Sequence, residues 1–382
     1  NFLFGVILSK KGLPIHYFNY GNRLQNYAVQ EILKSIGYTV ETIVNTQRSS
    51  NKNTSNKLKN LSKLRNKNVR SILKAIKRRL FLIINKKKIS SLNSEKYRKF
   101  KDFSNKYINE TDFIISDNNI PKYINDDYDF FIVGSDQVWN PHYRKGSSID
   151  FLTFAQKEKR ISFSASFGVS QIPDVFKEDY SKWLCDFKAI SVRENAGFDI
   201  VKNLTGKEAE VLLDPTLLIQ KENWINISKE SKKKPSKRYI LTYFLGHKKD
   251  TISKKIIEIA NRKDLEIVNL ASIKDDKFYT CDPAEFLDFI KSAEIFFTDS
   301  FHGVVFSILF SKPFIVLKRG EMNSRIDTLL NKFDLVDRKW ENIRFDEDIF
   351  KIDFSHVELI LENERQKAIN YLQNALTIEG AK

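Results

Sequence analysis

The sequence predicts an α/β protein of two doubly wound, Rossmann-like domains facing a cleft. Three observations predict it. Short apolar runs alternate with stretches of helical periodicity along the whole chain, the order that gives parallel sheets. One polar, proline-bearing stretch, Lys229-Glu230-Ser231-Lys232-Lys233-Lys234-Pro235-Ser236-Lys237, breaks the alternation and reads as a linker. The 382 residues exceed what one core usually holds, and 41% hydrophobic with 13% aromatic residues suffice for two.

The first unit reads β-α-β. Phe2–Leu8 is apolar and lacks a basic leader or a small-residue cleavage site, so it reads as a strand. A polar loop, Asn19-Tyr20-Gly21-Asn22, follows, and Leu24, Ala28, Ile32 and Ile36 then recur at helical spacing. Gly37 stops that helix and Tyr38–Val44 is the second strand. Further strands are expected at Tyr128–Val133, Arg160–Ala165, Ala189–Arg193 and Ala209–Leu213, and then at Tyr239–Phe244, Leu265–Leu270, Glu294–Thr298 and Pro313–Leu317. Asp282-Pro283-Ala284-Glu285 carries the N-cap, N1 proline and acidic N3 of a helix start. The resulting division is a first domain over 1–220 with a basic helical insertion at 45–93, a linker at 221–238, a second domain over 239–355 and a C-terminal helix over 356–382.

The net charge of +16 is local. Residues 42–94 contain 15 Lys or Arg and no Asp or Glu, leaving 49 basic against 48 acidic residues elsewhere. Leu61, Leu64, Ile72, Ile76, Leu80 and Ile83 fit one helical face, with most of the cations opposite. Residues 57–88 thus read either as an amphipathic helix resting on an anionic membrane or as a solvated helix packed on the protein. No nucleic-acid motif accompanies the charge, so no nucleic-acid partner is expected. The run Leu80–Ile84 is far too short to span a bilayer, and a cytoplasmic location is expected, peripheral at the inner face of the plasma membrane. Two cysteines and five scattered histidines argue against a disulfide scaffold or a cysteine–histidine metal site, and no metal or cofactor is expected.

Three constellations lie at expected strand ends. Thr298-Asp299-Ser300-Phe301-His302-Gly303 follows one strand and opens a helix, where free N–H groups favour an anion and a neutral imidazole is available for proton transfer. The alternative is that Asp299 or Ser300 caps the helix and His302 is structural. Gly134-Ser135-Asp136-Gln137-Val138-Trp139-Asn140-Pro141 offers a carboxylate, amides and an indole suited to a sugar, or else a turn with Trp139 in the core. Arg193, in Ser191-Val192-Arg193-Glu194, needs an anionic partner. That partner is Glu194, another carboxylate, or an anionic ligand. Lys318, Arg319 and Arg325 add charge near later strand ends.

Together with Asn19-Tyr20-Gly21-Asn22-Arg23-Leu24-Gln25-Asn26-Tyr27-Ala28, Ala165-Ser166-Phe167-Gly168 and Leu213-Asp214-Pro215-Thr216, these segments resemble the polysaccharide pyruvyl transferase family, in order over most of the chain. The resemblance implies a GT-B-like arrangement, with the acceptor on the first domain and the donor on the second. It implies metal-independent transfer of a pyruvyl group from phosphoenolpyruvate to a sugar, as a ketal, with release of phosphate. It points to His302, Asp136 and Arg193 as catalytic. Donor contacts are expected from Arg193, Ser300, Phe301, His302, Gly303, Lys318 and Arg325. Acceptor contacts are expected from Asn22, Asn26, Asp136, Trp139 and Asn140. The acceptor is expected to be a lipid-linked intermediate of a surface polysaccharide. Many members carry Arg-Leu-His where this chain has Ser300-Phe301-His302, which leaves a phosphate contact to Arg193, Lys318 or Arg325. Two other classes compete: a glycosyltransferase of the same architecture using a nucleotide sugar, and a non-enzymatic membrane or nucleic-acid binding protein driven by the basic segment.

Overall fold

A computed structural model describes residues 3–10, 18–46, 80–116, 118–144, 146–246, 249–319, 324–344 and 348–377. Most of the basic segment, 47–79, lies outside these.

Two parallel sheets form the frame. The first contains β1 (Leu3–Lys10), β2 (Thr39–Thr46), β3 (Glu110–Ile115), β4 (Phe130–Val133) and β5 (Arg160–Ser162) in the order β3-β2-β1-β4-β5. A short parallel pair, β6 (Ser191–Val192) and β7 (Glu210–Val211), continues it through single bridges Ile161↔Ala189 and Ala165↔Val192. The second sheet contains β8 (Tyr239–Tyr243), β9 (Glu266–Asn269), β10 (Ile295–Thr298) and β11 (Phe314–Val316) in the order β11-β10-β8-β9. All strand pairs within both sheets are parallel. The chain is therefore an α/β protein of two Rossmann-like domains.

The helices that matter here are α1 (Tyr20–Ser35), α2 (Lys86–Tyr107), α3 (Pro215–Leu218), α4 (Asp276–Tyr279), α5 (Pro283–Ser292), α6 (Phe301–Leu309), α7 (Ser324–Lys332) and α8 (Val357–Ala375). Ten strands stand where apolar runs predict them. β3 was not expected: it is an edge strand whose faces are only partly covered, so its sequence lacks a continuous apolar run. The expected capping box of α5 forms, Asp282 accepting from the Glu285 N–H and Glu285 accepting from the Asp282 N–H.

The domains share one apolar core. Tyr20 of α1 stacks on Phe286 of α5, with centroids 4.4 Å apart and planes 3° from parallel, and its hydroxyl donates to the Cys281 carbonyl at 3.1 Å. The connector expected at 221–238 is packed as well: Lys221–Ile227 is helical, and Trp224 is fully buried with its indole edge-on to Phe306. Helix α8 returns to the first domain, where the Tyr371 hydroxyl donates to the Ser162 carbonyl at 2.7 Å.

Candidate active site

In open parallel sheets a ligand crevice forms at the carboxyl ends of the strands where the strand order reverses. That reversal lies between β1 and β4 in the first sheet and between β8 and β10 in the second. The segments leaving three of these ends are Gly134-Ser135-Asp136 after β4, Phe244-Leu245-Gly246 after β8 and Asp299 to His302 after β10. Asn19 caps the start of α1, its side chain accepting from the Asn22 N–H at 3.3 Å.

The second-domain wall is built locally. Ser300 caps α6, its hydroxyl accepting from the Gly303 N–H at 3.3 Å. Asp299 is a structural tie, accepting from the backbone N–H groups of Leu245 and Gly246, each at 2.7 Å. A side chain at Gly303 would collide with Thr298 and Phe296, so this glycine lets α6 lie on β10. His302 occupies the first turn of α6 and is 6% exposed.

The first-domain wall meets it. Asp214, the N-cap of α3, is fully buried, and its Oδ2 lies 3.6 Å from His302 Nε2. The same oxygen accepts from Arg193 Nη1 and from the Ser135 hydroxyl at 2.7 Å, while Oδ1 accepts from the Thr216 N–H and hydroxyl. Burial alone would raise the Asp214 pKa; the charges of His302 and Arg193 outweigh it and hold the carboxyl well below its usual range. Arg193 stacks over Phe301 at 4.2 Å and lies 4.0 Å from Asp136, with Nε and Nη2 lacking hydrogen-bond partners. Arg325, on α7, lies 5.7 Å from the same ring, with Nε unpartnered. Burial, and then the neighbouring Arg193, lower the Arg325 pKa to about 10, so its guanidinium remains cationic at neutral pH. Asp214 is taken up by Arg193, Ser135 and Thr216, so the unpartnered N–H groups of Arg193 and Arg325 are the donors left for an anion.

Several expectations need correction. Trp139 does not line the cleft: it is fully buried, stacked on Phe151 at 5.3 Å, and its indole N–H donates to the Asp150 carbonyl. Asn140 is spent in the same turn, donating to Gln137 and accepting from the His142 N–H. Lys318 is exposed and pairs with Glu341 at 2.7 Å, away from the cluster. Glu194 does not pair with Arg193. Its Oε1 accepts from the Ser166 hydroxyl and the N–H groups of Phe167 and Gly168, which holds the loop after β5. Asp136, at φ 72°, accepts from the Asn19 side chain at 3.3 Å and stays partly exposed. Asn22 is half-buried and accepts from Arg23, whereas Asn26 is buried with its side-chain oxygen unpartnered.

Sequence reasoning missed two residues. Asp214 reads as a simple Asp-Pro helix cap, and nothing local signals that its second oxygen faces His302. Gln25 lies one turn beyond Gly21 on the same helix face, fully buried with both amide atoms unpartnered. Its polarity amid an apolar helix stripe was the available signal. Among the described residues, no group of three or more His, Cys, Asp or Glu is placed to hold a metal.

The molecule is thus of the class of α/β proteins with two parallel-sheet domains, and side chains of both, Arg193, Asp214, His302 and Arg325, gather where they meet. Within that class, the chain belongs to the polysaccharide pyruvyl transferase family, whose model matches residues 19–321. No curated protein matches the sequence. Among solved structures, the chain is similar to one described as a UDP-N-acetylglucosamine 2-epimerase from Listeria monocytogenes, at 9% identity and TM-score 0.47, covering 98% of this chain and 95% of that one. It is also similar to the UDP-GlcNAc 2-epimerase of Neisseria meningitidis, at 10% identity and TM-score 0.44, covering 98% of this chain and 97% of that one.

Proposed function

We propose that this cleft transfers the pyruvyl group of phosphoenolpyruvate to a sugar as a ketal and releases phosphate. The observation that carries the reading is the pair of buried guanidiniums, Arg193 and Arg325, flanking Phe301 beside His302 with unpartnered N–H atoms. A small dianionic phosphate ester with a carboxylate suits such a pair. His302 delivers a proton to the enol methylene carbon, which leaves the adjacent carbon cationic. One sugar hydroxyl attacks that carbon and loses its proton toward Asp136. The C–O bond to phosphate breaks, and a second hydroxyl closes the ketal. The two hydroxyl protons are accounted for by the new methyl group and the departing phosphate. The reaction as written draws on no metal, so a chelator is expected to leave turnover unchanged.

The acceptor in this reading is a sugar on a lipid-linked intermediate of a surface polysaccharide, met at the inner face of the membrane. No helix among the described residues is long and apolar enough to cross a membrane. The described end of the basic segment supports peripheral contact instead. Leu80, Ile83 and Ile84 are 52%, 71% and 79% exposed, and Lys86, Lys87 and Lys88 follow them. Phe81 lies against Lys274, and Lys88 pairs with Asp276 of α4, which follows the carboxyl end of β9. These contacts dock the segment beside α4.

Calorimetry with phosphoenolpyruvate and a panel of nucleotide sugars, on wild type and Arg325→Met, tests the donor. The reading expects selective binding of phosphoenolpyruvate that the substitution weakens about tenfold or more, the loss of one charge-assisted contact. Selective binding of a nucleotide sugar would overturn it in favour of a glycosyltransferase.

A further inference from the structure

The imidazole of His302 rests on backbone from the other domain. A Cβ built at Gly21 would lie 1.9 Å from His302 Nδ1, 2.3 Å from Cγ and 2.5 Å from Cε1. No side chain fits there, because real contacts to Cβ do not fall below about 3 Å. Gly21 sits in the first turn of α1, where its backbone conformation makes no demand for glycine: it is helical, and its φ is not among the positive values of the chain. Its missing side chain therefore serves the approach of the ring.

The surroundings leave the ring little freedom to yield. Tyr20, one residue earlier, is stacked on Phe286 and bonded to Cys281, which holds α1 on the second domain. Phe301 stands edge-on to the imidazole at 5.3 Å, and Asp214 faces Nε2 at 3.6 Å.

We propose that Gly21 is a positioning residue for His302: with Asp214 it forms a first-domain seat that fixes the orientation of an imidazole carried by the second domain. The inference rests on the reading of His302 as the acid–base group. A methyl group at Gly21 would force the ring off the seat, since α1 is held on both sides. Helix propensity predicts the opposite sign. Glycine is the poorest non-proline helix former, so Gly21→Ala in a helix that merely passes by would raise stability.

A thermodynamic cycle tests this in the full-length chain. Gly21→Ala is compared with native Gly21 in two backgrounds, native and His302→Ala, by thermal unfolding. The expected result is a lower Tm for Gly21→Ala with His302 present and no lowering once the imidazole is removed. An equal change in both backgrounds overturns the contact. The cycle is readable even if the single variant folds poorly, because the double variant has room for the methyl group. The functional half uses labelled histidine, with the His302 resonances identified by their absence in His302→Ala. Gly21→Ala is expected to shift those resonances and to lower turnover about a hundredfold, as misplacement of a reacting group does. Unmoved resonances with a raised Tm overturn the proposal. Neither the cycle nor the spectrum depends on the donor, so failure of the phosphoenolpyruvate reading is seen separately.

Discussion

Asp214 joins three groups from distant parts of the chain: Arg193, Ser135 and His302 all approach its Oδ2. Its lowered pKa carries a sign for stability. The native carboxyl is more acidic than the unfolded one, so it adds stability above the ordinary carboxylate range and loses it as pH falls through the native value. Asp214→Asn is expected to destabilise the fold by about 3 kcal/mol at neutral pH, because it strands Arg193 in the interior. The gap from wild type should shrink in acid, where wild-type Asp214 is protonated too; denaturant melts at several pH values check this. Turnover should fall about a hundredfold through loss of the His302 seat. At this scale the motif sequences put His302 and Arg193 just beyond strand ends, which is where β10 and β6 leave them. They were misleading about Trp139, since a strand-end indole reads alike whether it faces a cleft or packs on Phe151.

Helix α2 shows what periodicity conveys and what it leaves open. Its Lys96 is 4% exposed inside a box of rings, with Nζ 4.4 Å from the centroid of Tyr279, 5.0 Å from Tyr20, 5.5 Å from Phe18 and 5.8 Å from Phe100. Burial lowers its pKa to about 7, against a small opposing effect of Cys281. Between that value and the ordinary lysine value the unfolded chain binds the extra proton, so stability contributed here rises with pH over roughly 7 to 10.5. Lys96→Met is expected to flatten that rise and to raise stability at and below neutral pH; chemical denaturation across the window measures both. No composition argument singles out Lys96 in this way, because Tyr20 and Tyr279 are brought to it from two other helices, α1 and α4. The exposed apolar residues before α2 carry a different expectation. Ile83→Asp with Ile84→Asp should weaken sedimentation with phosphatidylglycerol vesicles about tenfold or more while leaving the fold intact, given the apolar area and surface charge lost from contact. Unchanged sedimentation would rule these residues out as the contact.

At the scale of the molecule, the shared core decides how the domains behave. Tyr20 on Phe286, Trp224 on Phe306 and the return of α8 join the two sheets into one apolar continuum. A single calorimetric transition is therefore expected, and Tyr20→Ala should lower it by about 3 kcal/mol or more, the cost of removing a large buried ring. Two transitions in wild type would mean that the domains unfold separately. The two parallel sheets were legible beforehand, strand by strand, because a buried parallel strand must be an apolar run and a crossover helix must repeat its apolar residues every three to four positions. The edge strand β3 escaped because one-sided cover leaves no such run. Local sequence thus determined the elements, their order, and which chemically active residues stand at strand ends. Only the tertiary structure decided which of those ends meet. His302 comes to Gly21 and Asp214, Arg325 comes to Phe301, and Lys318 is turned to solvent, since contacts across roughly 20 to 280 residues arise from packing and leave no trace in local periodicity.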